Sequence, residues 1–153
     1  MTLNITIGRD SVIADLLVKS HLESASISNA EERYIVQAGT EKIQEIHQCV
    51  TDAFSEASAI LREFVSGATT LLMNDDYRSA GDLALTLEIS ERRAVGLATP
   101  LTDAIHKYVV DSAMAKFYRA VSRPEMAERH SASLPADRSN IDVLLYVKQE
   151  PVY

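Results

Sequence analysis

The sequence predicts a mainly α protein: a helical bundle with one long helix and a minor β element, a short strand or hairpin. Three observations lead there. Ile43, Ile46, Val50, Ala53, Ala57, Ile60 and Phe64 recur in alternating steps of three and four, the spacing of a heptad stripe. The segment from Leu101 to Val121 is apolar on nearly every helical face, as in a helix buried at the centre of a bundle. The clearest period-two alternation lies in Asp82 to Ser90, where Leu83, Leu85, Leu87 and Ile89 share one face.

In chain order, Leu3, Ile5 and Ile7 alternate with Thr2, Asn4 and Thr6, which suits a half-buried strand or an extended arm that Gly8 ends. Asp10 or Ser11 is placed to cap a first helix with Ile13, Leu16 and Leu17 on one face. The polar run 23–28 reads as a loop. Asn29, followed three residues later by Glu32, resembles a capping-box start with Asn in place of Ser or Thr. The helix it opens is expected to run over residues 30–66, with Phe54 and Leu61 widening the stripe. At 1.5 Å per residue it would reach about 55 Å, more than the diameter of a compact domain this size. Such a helix must protrude, kink near Gly39 or pack on another subunit. Ser66-Gly67 ends it, and Asn74-Asp75-Asp76 marks a turn.

The strand at 82–90 needs a partner, for which residues 2–7, Arg93 to Leu97 or a neighbouring chain are the candidates. Thr99 and Pro100 read as the cap and first-turn proline of the apolar helix. Pro124 opens another helix, which Pro135 is expected to interrupt. Residues 141–147 fit helix or strand by periodicity, and helix is preferred. The expected organisation is an extended arm over 1–8, a single helical domain over 9–148 and a tail over 149–153.

Composition narrows the classes of function. With 46% hydrophobic residues, Gly 5 and Pro 4 in 153 residues, the chain is a globular domain rather than a disordered or low-complexity segment. No run of residues is apolar enough for a membrane span, and the first residues lack the pattern of a secretory signal. A single cysteine, Cys49, has no internal disulfide partner, which makes a reducing compartment the default. With a net charge of −7, non-specific nucleic-acid binding is not expected as the main role, because phosphate neutralisation needs clustered Lys and Arg. No specific nucleic-acid binding is expected either. The charge is uneven: residues 1–115 hold 9 basic and 17 acidic side chains, while 116–153 hold 6 and 5. Solvated helix faces explain that imbalance, and so does head-to-tail complementarity between copies in a ring.

Chemical motifs are absent. There is no Gly-x-Ser-x-Gly elbow and no Gly-rich phosphate loop. His47 and Cys49 are two apart on a helix and so face different ways, which is poor metal geometry. His106 lies three residues after Asp103, a spacing that allows a side-chain contact, and reads as a structural histidine; His21 and His130 read as isolated surface residues. Glu31/Glu32 and Asp75/Asp76 lack the spacing of an acid–base pair. No cofactor, metal or catalytic group is expected.

The order of segments carries a resemblance. Asn29-Ala30-Glu31-Glu32 leads into a helix bearing Cys49-Val50-Thr51-Asp52-Ala53 and Leu61-Arg62-Glu63-Phe64. Leu85-Thr86-Leu87-Glu88-Ile89-Ser90 follows, then Tyr108-Val109-Val110 and Ala115-Lys116-Phe117-Tyr118, then Pro124-Glu125-Met126-Ala127. Over residues 29–148 this resembles the virion neck proteins of tailed phages, in outline the helical head-to-tail connector (adaptor) family. In that family Pro135 falls where the chain usually continues a helix.

The resemblance implies a non-enzymatic virion protein, assembled in the host cytoplasm as a homo-oligomeric ring, commonly of twelve copies. Such a ring docks on the portal on one side and on tail or stopper proteins on the other, with DNA passing through its lumen. Subunit contacts are then expected from Leu3, Ile5 and Ile7 in the arm and from Leu85 and Leu87 in the strand. Arg119, Arg123 and Arg129 at the positive end, and Val147, Val152 and Tyr153 in the tail, complete the expected set. The alternatives are another neck, tail-completion or head-decoration protein, or a small cytosolic helical regulator.

Overall fold

The computed structural model describes residues 2–36, 42–70, 81–89 and 96–145. Eight elements follow one another: β1 (Thr2–Ile7), α1 (Arg9–Ser24), α2 (Ala30–Val36), α3 (Ile43–Ile60), β2 (Val65–Thr70), β3 (Leu83–Glu88), α4 (Ala98–Ala120) and α5 (Pro124–Leu145). The protein is mainly helical with one small antiparallel sheet, as its sequence pattern predicts.

The sheet has three strands in the order β1-β3-β2. The expected arm is a strand: β1 pairs with β3 so that Leu3 faces Leu87 and Ile5 faces Leu85. On the other side of β3, Ala68 faces Leu85, with a register shift between Val65 and Gly67. Period-two patterning sends Leu3, Ile5, Ile7, Leu83, Leu85 and Leu87 into the core and leaves Thr2, Asn4, Thr6, Ala84 and Glu88 on the open face. Strand β2 was not expected, because Ser66-Gly67 reads as a helix stop; the β-branched Val65, Thr69 and Thr70 carry the chain back along β3 instead.

The single helix expected over 30–66 is two helices in the structure. Helix α2 ends at Val36 and α3 begins at Ile43; Gly39, the expected kink, lies outside the described residues. Helix α3 then stops at Ile60, and Phe64 accepts a hydrogen bond from Glu88 N–H at 2.8 Å as the chain enters the sheet. Within α3 the stripe packs as predicted, with Ile46, Val50, Ala53, Phe54 and Ala57 buried.

Helix ends show where local chemistry decides and where it does not. Asn29 Oδ1 accepts the N–H groups of Glu31 (2.9 Å) and Glu32 (3.3 Å), the cap read from the sequence. Neither Asp10 nor Ser11 caps α1. Gly8 occupies the cap position in an extended conformation, and Asp82, ahead of β3, accepts the Arg9 N–H at 2.8 Å. Thr99 is likewise not a cap, since α4 begins at Ala98 with Leu97 before it. Pro100 still falls within the first turn, where no N–H is required.

Helix α4 is the hub, packed against α5, α3, α1 and β1. Its residues Leu101, Ile105, Val109, Val110, Ala113, Met114, Phe117 and Tyr118 are all buried. Between α4 and α5, Ser122 N–H bonds the Arg119 carbonyl (3.1 Å) and Arg123 N–H bonds the Tyr118 carbonyl (2.8 Å). That bond pattern is a Schellman turn, and it requires the left-handed conformation Ser122 adopts at φ 60°. Helix α5 continues through Pro135 rather than breaking there. Met126 and Ala127 on one side, and Ile141 and Leu145 on the other, hold it to the core, which offsets the one backbone bond proline removes. Residues 141–145 are helical, as preferred.

A side chain at φ 60° is strained, and glycine is not. Ser122→Gly is therefore expected to raise unfolding stability by about 0.5–1 kcal/mol. Urea denaturation followed by circular dichroism reads this as a higher midpoint with unchanged slope.

Candidate functional site

Helix α4 buries polar groups among its apolar ones. Asp111 is 4% exposed and Ser112 1%, and on α5 Asp137 is 2% exposed. A carboxylate so buried must find donors, and the elements around α4 supply them. His130 and Asp137 sit two turns apart on α5, facing α4. Lys107 sits one turn before Asp111 on α4 itself, and Glu23 reaches in from the last turn of α1.

The result is one polar chain across three helices. Tyr118 hydroxyl donates to Glu23 Oε2 at 2.5 Å, and His130 Nε2 lies 2.8 Å from Glu23 Oε1. His130 Nδ1 lies 3.3 Å from Asp111 Oδ1, while Lys107 Nζ donates to Asp111 Oδ2 (3.1 Å) and Asp137 Oδ1 (2.6 Å). The Tyr118 and His130 rings stack at 5.6 Å between centroids. Both imidazole nitrogens face carboxylates, so only the doubly protonated ring can donate to both.

Electrostatics follow the geometry. Burial opposes the charge on His130, but Asp111 and Glu23 outweigh it and hold the imidazolium up to about 9. Burial works against ionisation of Asp111 and Glu23 too, yet their donors pull both below the usual carboxylate range. Asp137 is the exception. Burial, reinforced by the neighbouring Asp111, pushes it up to about 6 against the pull of Lys107. Its Oδ2 is buried with no hydrogen-bond partner. Burial and Glu23 together raise the Tyr118 phenol well above its ordinary value.

Glu23 also borders a cavity of about 340 Å³ between the α1–α2 connection and the start of α5. Arg123, Arg129, Glu32, Glu125, Ser26, Ile27 and Met126 complete its lining. Among the described residues the guanidinium groups of Arg123 and Arg129 form no ion pair. Arg119, exposed nearby in sequence, donates to Ser131 Oγ at 2.6 Å.

Of the expected contact residues, Leu3, Ile5, Ile7, Leu85 and Leu87 are buried in the core of their own chain, at most 8% exposed. Arg119 and Arg129 are exposed and Arg123 is half-buried. Val147, Val152 and Tyr153 lie outside the described residues.

The histidine readings change as well. His130 is not an isolated surface residue; its side chain is 11% exposed. His106 pairs with Asp15 of α1 at 2.5 Å rather than with Asp103. Cys49 is buried, and burial with nearby Asp52 pushes its thiol up to about 11, which leaves it unreactive at neutral pH. Among the described residues no cluster of three His, Cys, Asp or Glu side chains could hold a metal ion, and no helix is long and apolar enough to cross a membrane.

Chemically, the histidine at the centre of the polar chain has both ring nitrogens engaged by carboxylates. A histidine charged at neutral pH is no general base, and the carboxylates it faces are engaged by donors. Comparison with family models, curated proteins and solved structures finds no match.

Two outcomes follow from these protonation states. The folded pKa of His130 lies above its unfolded value, so its stabilisation is complete below about pH 6.5 and lost as pH rises through 9. Wild-type stability should fall by at most about 3 kcal/mol over that window, and the fall should be absent in His130→Gln. Thermal melts from pH 6 to 10 read it. Asp137 has the same sign in a lower window: its folded pKa of about 6 also lies above the unfolded value, so stability falls as pH rises from about 4 through 6. Asp137→Asn, which keeps an oxygen for Lys107, should be more stable than wild type by about 1–3 kcal/mol at pH 7.5, a difference that shrinks as pH falls and vanishes below about pH 3.

Proposed function

We propose that this chain is a structural subunit of a tailed-phage virion: a head-to-tail connector in the neck that assembles as a ring between the portal and the tail or stopper proteins, without enzymatic activity. The observation that supports it is the pair of guanidinium groups, Arg123 and Arg129, left without ion pairs on a chain of net charge −7. Inside the bundle nearly every charge has a partner. At the start of α5 two do not, and Arg119 stands exposed beside them in sequence. Exposed carboxylates are available on α3, where Glu45 and Asp52 face outward.

One copy's arginine end set against a neighbour's acidic face makes a heterologous contact, the kind that closes into rings. The order of segments over residues 29–148 supplies the class, and the unpaired arginines supply a means of assembly. The portal and the tail or stopper proteins are the partners in this reading, and the ring lumen is the passage for DNA.

The double variant Arg123→Glu/Arg129→Glu tests it. Native mass spectrometry and negative-stain microscopy at low salt should show wild-type rings, commonly of twelve copies. The variant should keep wild-type circular dichroism and form no rings. Wild-type rings that persist unchanged in the variant, or a wild-type chain that never forms rings alone or with a portal, would overturn the proposal.

A further inference from the structure

Strand β1 lies at one edge of the sheet, and only its β3 side is hydrogen-bonded among the described residues. Edge strands in soluble proteins are normally blunted by charge, proline, a bulge or extreme shortness. This one has none of these. Thr2-Leu3-Asn4-Ile5-Thr6-Ile7 is six residues long, uncharged and free of proline and glycine, and it pairs with β3 in unbroken register. The opposite edge is different: β2 contains Gly67 and a register shift between Val65 and Gly67.

We propose that the outer edge of β1 pairs antiparallel with the β1 edge of a second copy of this chain, joining two sheets into one of six strands. Charge and symmetry select that occupant. The chain carries −7 overall, and an uncharged edge is a place where two such chains can meet without like charges opposed. The strand is self-complementary about a two-fold axis through Asn4. Antiparallel pairing there sets Thr2 against Thr6 and Asn4 against Asn4 on the open face, with Leu3 against Ile5 on the face covered by α4. Because the contact is isologous and the β2 edge is irregular, pairing stops at two copies instead of continuing as a fibril. The contact uses backbone groups of β1, not the arginines of α4 and α5, so it stands independently of the ring reading.

Asn4→Lys tests it by placing like charges across the proposed axis. At a salt concentration that screens the arginine contact, sedimentation velocity of wild type should show a species of twice the 16.9 kDa chain mass. Asn4→Lys should weaken that dimer about fivefold or more with unchanged circular dichroism, and so should Asn4→Asp. An equimolar mixture of the two variants should restore it. Should Asn4→Lys fail to fold, the near-isosteric Asn4→Asp decides alone. A dimer retained in Arg123→Glu/Arg129→Glu separates this contact from the arginine-dependent one. A wild-type chain monomeric at about 100 μM, or a dimer that neither charge weakens, overturns the proposal.

Discussion

The sheet and the helices are joined at one buried guanidinium. Arg9 is 1% exposed, yet it donates from Nε to the Gly81 carbonyl (2.9 Å), from Nη1 to the His47 carbonyl (3.1 Å) and from Nη2 to Thr51 Oγ1 (3.0 Å). Its charge lies over the Phe54 ring at 5.1 Å, and its backbone N–H is held by Asp82. Three parts of the chain far apart in sequence meet there: the β1–α1 junction, the middle of α3 and the entry to β3. Burying such a charge costs several kcal/mol unless every donor finds an acceptor in good geometry. That requirement makes the site selective. A shift of β1 by one residue would turn Leu3, Ile5 and Ile7 outward and carry Arg9 away from its acceptors at the same time.

Legibility of the fold in the sequence tracks how local each cause is. The alternation in β1 and β3, the Asn29 cap and the apolar girth of α4 are set by neighbours within a few residues, and each is found as read. Arg9 could not be read that way, because a lone arginine after a glycine looks like surface until its carbonyl acceptors arrive from residues 47 and 81. The cap of α1 failed for the same reason: Asp10 and Ser11 are local candidates, but the group that serves is Asp82. Strand β2 was hidden by Ser66-Gly67, which spells a helix end as well as a strand. Pro135 shows packing overriding a local penalty, with buried residues on both sides holding α5 together.

The polar chain was hidden by distance, since His130 and Glu23 are 107 residues apart. One signal was present in the sequence all the same. Asp111 and Ser112 interrupt Val109-Val110 and Ala113-Met114 in a stretch, Tyr108 to Ala115, that is buried at every position. A carboxylate at such a position implies a cation within reach, and the largely buried His130 and the exposed Lys107 supply it. Replacing the whole set by apolar side chains could leave stability unchanged, but removing one member strands its partners. The network thereby fixes how α1, α4 and α5 slide past one another, since each contact has a length that apolar packing would not enforce.

This inward pairing gives meaning to what is left on the outside. Charges spent on one another in the interior cannot steer association, which leaves Arg123 and Arg129, without ion pairs among the described residues, as cations free to engage a partner. Their reach is set by screening, about 8 Å at physiological ionic strength, and any contact they form weakens as salt rises. The β1 edge obeys another law. Its outward N–H and C=O groups carry no net charge, and pairing them buries apolar neighbours, a gain that salt leaves largely intact or strengthens. One chain thus carries two surfaces with different dependence on ionic strength, one on helix ends and one on a strand edge. If copies join as proposed, a buffer concentrated enough to silence the first contact would leave the second standing, and salt alone would set the order in which they form.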